Sequence, residues 1–401
     1  MPVMERFRLA VFNTQPPHLY FGGVERRIIE TTRRLTSKAD ITVYSGTKAG
    51  FKEPAKIDGV NLVPCNSTDK IYPLDNWSFN KNLIKQADVW EADVFEAHND
   101  NGYRLLKILK QQGSKKPFVH TIHGVLADEY EQAKQNVYAG FRGRLANQFM
   151  RRLAKFEKET AQNATLIATI SRVSLEKMQK HYNVDPSKVR IVPNGVDPEK
   201  YKPADDPAAL KRKFGLGDVP VVLFVGNLIP RKGLPFLVEA AKKTVKSNAD
   251  VRFVVVGDGP LKNQLNADLK NANLSGRFTL FSRLTDEALA EMYGCADVFV
   301  LPSVQEGQGI VLLEAASSGK PVVAFDIGGV NEAVESGETG LLVERGNSGA
   351  LADALLKLLP DADLRLKMGS AGRKFVMENF TWDICAQKML AVYREAMALK
   401  A

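Results

Sequence analysis

The sequence predicts an α/β protein built from two doubly wound parallel-sheet domains in tandem. Three observations predict it. Short apolar runs alternate with helix-period segments along nearly the whole chain, the pattern of parallel strands joined by crossover helices. Glycines follow several of those runs, at Gly22-Gly23, Gly226, Gly257-Asp258-Gly259, Gly307-Gln308-Gly309 and Gly328-Gly329. Ligands of such sheets collect at the carboxyl ends of the strands. With 401 residues the chain exceeds one ordinary core and is comfortable for two.

In the first half, residues 8–13 read as a strand. Gly22-Gly23-Val24-Glu25 follows and 26–35 continues as a helix. The two glycines let backbone approach a ligand and permit positive φ, and a helix start offers N–H groups to an anion. Strand-like runs recur at 41–45, 60–63, 93–97, 117–122, 165–169 and 188–192. Helical patterns such as 101–112 and 171–181 separate them. His98 and His123 fall in loops beyond strand ends, where binding groups concentrate. His120 lies inside a strand and reads as core, while His18 and His181 read as structural.

Residues 141–161 form a basic amphipathic pattern. Phe141, Leu145, Phe149, Leu153 and Phe156 make the apolar stripe, with arginines and lysines around them. A core-facing stripe with a solvated basic face is the favoured reading. A helix lying on an anionic membrane is the competing one. The net charge of +9 resides in residues 1–197, where 30 Lys+Arg stand against 21 Asp+Glu; residues 198–401 carry 25 of each. Such asymmetry points to an anionic partner for the first half, a membrane surface, nucleic acid or a phosphate-bearing acceptor.

Residues 198–218, polar and containing three prolines, read as a linker. The domains are therefore expected at 1–197 and 198–382, with the helix of about 383–401 crossing back to the first. In the second, strands are expected at 221–225, 251–256, 278–281, 298–301 and 322–325, with a helix at 234–246. Arg231 and Lys232 lie in the loop after the first of these strands and could neutralise a diphosphate leaving group. The central stretch runs from Pro302-Ser303 through Glu306 and the Gly307/Gly309 pair into a helix at 310–318 that carries Glu314. An anion-attracting loop that also holds carboxylates suits a ligand with both phosphate and hydroxyls. A nucleotide-sugar is such a ligand.

Three cysteines without close spacing and five histidines without ligand spacing give neither a disulfide nor a metal framework. No metal and no cofactor are expected. No apolar run reaches the ~18–20 residues of a membrane span and no signal peptide is read at the start. The expected location is the cytoplasm, with the cytoplasmic face of a membrane as an extension.

These residues resemble family 4 glycosyltransferases, retaining enzymes with the GT-B fold of two facing Rossmann-like domains. The resemblance rests on Gly22-Gly23-Val24-Glu25, Pro193-Asn194-Gly195-Val196-Asp197, Arg231-Lys232-Gly233, Val256-Gly257-Asp258-Gly259-Pro260, the Glu306-x7-Glu314-Ala315 stretch after Pro302-Ser303, and Gly328-Gly329 with Glu332. It implies that Glu314 holds ribose hydroxyls and that Glu306 and His123 contact the donor sugar. Lys232 would bind the diphosphate. Gly309, Ile310 and Val311 would offer backbone N–H groups, and Gly22 and Gly23 would face the diphosphate from the first domain. Base selectivity would lie near Arg283 and Leu284. Asn227 stands where the family usually has arginine, a clamp that Arg231 could supply.

The function expected is retaining, metal-independent transfer of a sugar from a nucleotide-diphosphate donor, UDP-sugars first and GDP-mannose second. The acceptor would be a lipid, a glycan or a small molecule, chosen by loops at 66–80 and 124–140. A GT-B epimerase and a non-catalytic nucleotide-sugar or nucleic-acid binder are the alternatives; the coincidence of three diphosphate-suited positions makes nucleic acid the weaker partner.

Overall fold

The computed structural model describes residues 6–20, 22–68, 74–134, 141–248 and 250–400. The chain divides into two compact units. One runs to Pro193 and takes in the chain from Trp382 onward; the other is Asn194–Thr381.

The first unit carries β1 (Phe7–Asn13), α1 (Gly23–Leu35), β2 (Ala39–Gly46), β3 (Ala55–Ile57), β4 (Val60–Cys65), α2 (Leu74–Leu83), β5 (Val94–His98), α3 (Tyr103–Gln111), β6 (Phe118–Ile122), α4 (Leu126–Lys134), α5 (Phe141–Asn163), β7 (Leu166–Thr169), α6 (Arg172–Tyr182) and β8 (Val189–Ile191). Among the described residues its strands order as β3-β4-β2-β1-β5-β6-β7-β8. β3 is antiparallel to β4 and the other pairings are parallel. β5, β6 and β7 are buried along their whole length, as expected of strands covered on both faces. The chain goes from β1 to β2 on one side and returns to β5 on the other, so a crevice opens at the carboxyl ends of β1 and β5.

The second unit carries α7 (Pro207–Lys213), β9 (Val221–Val225), α8 (Leu234–Ser247), β10 (Arg252–Val256), α9 (Lys262–Asn271), β11 (Phe278–Phe281), α10 (Asp286–Cys295), β12 (Val298–Leu301), α11 (Ile310–Ser317), β13 (Val322–Phe325), α12 (Val330–Ala333), β14 (Gly340–Val343), α13 (Ser348–Leu358) and α14 (Ala362–Asn379). Its strand order is β11-β10-β9-β12-β13-β14, all parallel. The switch point falls between β9 and β12. The last helix, α15 (Trp382–Ala398), belongs to the first unit and packs against α1 and β5 to β7.

Several expectations change. The linker at 198–218 contains α7, started by Asp206, whose carboxylate accepts from Ala209 N at 2.8 Å, and by Pro207 in the first turn. Two short edge strands add to the expected ones: β3, three residues with Lys56 at its centre, and β14, whose Leu341-Leu342-Val343 run is only half-buried. His98 is the last residue of β5, not a loop residue, and is 1% exposed. In α5, Leu153 is buried, Phe156 stacks on Tyr103 at 4.4 Å, and Arg151, Arg152 and Lys155 face outward. The side chains of Phe141 and Leu145, and parts of the loops at 66–80 and 124–140, lie outside the described residues. No described helix is long and apolar enough to cross a membrane.

Candidate functional site

The switch point of the second sheet explains why residues 74 apart in sequence meet. β9 and β12 are hydrogen-bonded neighbours, so the loops leaving their carboxyl ends lie side by side. Val304 N donates to Arg231 O at 2.8 Å and ties one loop to the other. Gly233 allows the approach. Its φ is +69°, and a Cβ there would stand 1.8 Å from Pro302 O.

Three charged side chains converge on this seam. Lys232 Nζ donates to Glu306 Oε1 at 2.6 Å and Oε2 at 3.3 Å. Arg231 Nη1 donates to Glu306 Oε1 at 2.8 Å and to Gln305 O at 3.3 Å. Lys232 is 7% and Glu306 8% exposed, whereas Arg231 reaches solvent. Burial by itself would raise the Glu306 pKa, but the charges and hydrogen bonds of Lys232 and Arg231 outweigh it and hold the carboxyl below its usual value. Glu306 is therefore ionised at neutral pH, and the three groups sum to one positive charge.

The next residues place an anion-attracting helix start beside these charges. Gly309, at φ +82°, precedes α11, whose first N–H groups have no partner within the helix. Ile310 and Val311 open α11 and are half-buried. Glu314, farther along α11, is 2% exposed and accepts from Tyr293 OH at 2.7 Å. Gln308, 2% exposed, holds the loop in place: Asn194 N donates to its Oε1 at 2.7 Å. Gly329 packs against the same loop. Asn227 and Arg283 are exposed in the loops after β9 and β11, with Leu284 half-buried beside Arg283.

In the first unit, α1 begins at Gly23, three residues earlier than the sequence pattern indicates, with Gly22 as its extended N-cap at φ −90°. Gly22 is thus not required for positive φ. A Cβ there would meet Glu25 Oε2 at 2.1 Å. The Glu25 carboxyl, 6% exposed, folds back over the helix start and accepts from Asn13 Nδ2 at 3.1 Å. Burial raises its pKa, against hydrogen bonds from its own backbone and Asn13.

His123 follows β6, half-buried. Its Nε2 lies 2.9 Å from His98 Nδ1, and its backbone N–H donates to Asn99 Oδ1 at 3.1 Å. Burial pushes His98 and His120 down to about 4 and His123 well below its usual value. All three rings are neutral at pH 7. Beneath them Glu96, 2% exposed, accepts from Tyr393 OH of α15 at 2.5 Å and Thr121 Oγ1 at 2.6 Å. Arg27, 1% exposed, donates to Val192 O at 2.7 Å.

The structure thus brings Arg231, Lys232 and Glu306 into direct contact and places Gly309, Ile310, Val311 and Glu314 on the helix that follows. Sequence reasoning gave no role to Glu25 and Gln308, though both lie in its motifs, and missed Glu96, Tyr293 and Tyr393. One signal was present: Glu96 interrupts the apolar run Val94-Phe95, and a carboxylate inside a buried strand needs partners.

Comparison with known proteins agrees with this architecture. The model of the "Glycosyltransferase Family 4" matches residues 21–200, and that of the "Glycosyl transferases group 1" matches residues 207–375. The chain is 36% identical over 400 residues to the D-inositol 3-phosphate glycosyltransferase of Kribbella flavida, covering 94% of this chain and 91% of that one. It is 30% identical over 385 residues to a GDP-mannose-dependent alpha-(1-6)-phosphatidylinositol monomannoside mannosyltransferase of Mycolicibacterium smegmatis, covering 93% and 94%. Other curated relatives are matched over only 52%, 54% or 60% of their own length. Among solved structures, sucrose-phosphate synthase from Thermosynechococcus elongatus superposes with a TM-score of 0.84 at 22% identity, over 98% of this chain and 100% of that one. Two parallel-sheet α/β units, these family models and the full-length relatives lead to one conclusion: the chain has the GT-B fold and belongs to the group 1, family 4 glycosyltransferases.

Proposed function

We propose that the protein transfers a sugar from a nucleotide-diphosphate donor to an acceptor hydroxyl with retention of anomeric configuration. The observation that carries this reading is the Lys232–Glu306 contact at 2.6 Å, set at the switch point between β9 and β12. A buried lysine, a second cation and a helix start suit a diphosphate, and carboxylates suit sugar hydroxyls.

In this reading the bond between the anomeric carbon and the phosphate oxygen breaks while the acceptor oxygen bonds to that carbon on the same face. The acceptor proton passes to the departing phosphate. Lys232, Arg231 and the N–H groups of Ile310 and Val311 oppose the charge that gathers there, so the reaction calls for no metal. Arg231 takes the place of the family arginine that Asn227 lacks. Glu314 holds the ribose, Glu306 and His123 address the sugar, and Arg283 with Leu284 borders the base. Gly22 and Gly23 would offer the start of α1 to an anion.

UDP-sugars are the first donor to test and GDP-mannose the second; the name of the mycolicibacterial relative supports the latter. The names of both full-length relatives support a phosphate-bearing or lipid-linked acceptor, and the basic first half suits an anionic membrane or acceptor. The test is a panel of nucleotide-sugars scored by thermal stabilisation and then by turnover. A stabilising donor that is consumed upholds the reading. Glu306→Ala should abolish transfer, and near-normal turnover in that variant would remove Glu306 from the mechanism.

A further inference from the structure

Resting on that donor reading, we propose that Glu306 is a built-in competitor of the diphosphate: it pairs with the two cations that a diphosphate would engage and reclaims them from the spent nucleotide. Glu306 Oε1 accepts from Lys232 at 2.6 Å and Arg231 at 2.8 Å at once. The Lys232 and Glu306 side chains are 9% and 6% exposed, and a buried cation left without a partner is strongly unfavourable. A diphosphate can engage Lys232 only by displacing this carboxylate or by sharing the lysine with it.

Donor and product differ in how well they meet that demand. A nucleotide-sugar carries roughly two negative charges on its diphosphate; the free nucleoside diphosphate carries about three, because its terminal phosphate is exposed to a second ionisation. The donor also brings sugar hydroxyls, which give the displaced carboxylate new hydrogen-bond donors. The product brings no hydroxyls there and one more charge of the same sign. Glu306 therefore discriminates against the product more than against the donor, and hastens its departure. A ligand moves such an equilibrium only by its differential affinity for the two arrangements. That difference resides in one carboxylate.

The test is calorimetric titration of the full chain at pH 7.5 with UDP, GDP, UDP-glucose and GDP-mannose. Glu306→Gln keeps the shape and removes the charge. It should bind whichever nucleoside diphosphate the wild type recognises roughly tenfold tighter or more. The sugar nucleotide should gain less, or lose affinity. Glu306→Ala should shift the diphosphate in the same direction, which covers misfolding of either variant, and uridine or guanosine should bind all three proteins alike. Unchanged or weaker diphosphate binding in a folded variant overturns the proposal and leaves the donor reading standing. Failure of every nucleotide to bind the wild type overturns both.

Discussion

His98 and His123 share one hydrogen bond, Nδ1 to Nε2 at 2.9 Å, with their rings 5.2 Å apart and tilted by 25°. Since both are neutral, one nitrogen donates and the other accepts. His98 Nε2 lies 3.4 Å from Glu96 Oε1, which favours a proton on that nitrogen and leaves Nδ1 as the acceptor. His123 then donates through Nε2, with its orientation set from below. His98→Leu should leave nucleotide affinity within about twofold and lower turnover about tenfold, because an unanchored ring forfeits positioning rather than binding. Separate measurement of Kd and kcat checks this.

Gly329 stands against the loop that carries Glu306. A Cβ there would lie 1.8 Å from Gly307 O and 3.0 Å from Gln308 Cα. The clash is with backbone, so the loop itself must shift. Gly329→Ala should destabilise by about 1–3 kcal/mol and weaken donor binding together with turnover. Denaturant titration and donor titration of the same variant are the measurements. Unaltered donor affinity would show that the loop does not need this support.

Residues 382–401 belong physically to the first unit. Tyr393 on α15 gives its hydroxyl to the buried Glu96, and Arg190 pairs with Glu395. Tyr393→Phe should cost about 1.5–3 kcal/mol, the range for a hydrogen bond to a charged group. Deleting everything after Thr381 should expose the apolar faces of α1 and β5 to β7 and leave the first unit unable to fold. Circular dichroism and solubility of the truncated chain decide the point.

Buried Glu157 predicts an alkaline sensitivity. It accepts from Tyr182 OH and from Leu126 N at 3.0 Å, yet burial raises its pKa to about 8. A raised folded pKa contributes stability that is complete below the unfolded value of 4.5 and is lost as pH rises through about 8. The lowered histidines act oppositely: their contribution is complete above 6.5 and is lost as pH falls toward about 4. Stability should therefore fall at both ends. Glu157→Gln should remove the Glu157 loss, which runs from pH 4.5 to about 8, and leave the histidine-driven fall toward about 4 in place. Melting curves across that range test it.

The alternation of apolar runs and helical segments determined the fold class by itself, because burying strands on both faces leaves parallel sheets as the main solution. It also marked Arg231, Lys232, Glu306 and Glu314 as residues at the ligand edge. The tertiary structure decided which of them touch. Strand order, unlike strand identity, is not written in local periodicity; β12 returns to pair with β9, and only that return sets Lys232 against Glu306. The same holds for Tyr393 and Glu96, 297 residues apart, which meet because the last helix docks on the first sheet. Burial then fixed the protonation states, since a carboxyl or imidazole takes its charge from neighbours that the linear chain does not place beside it.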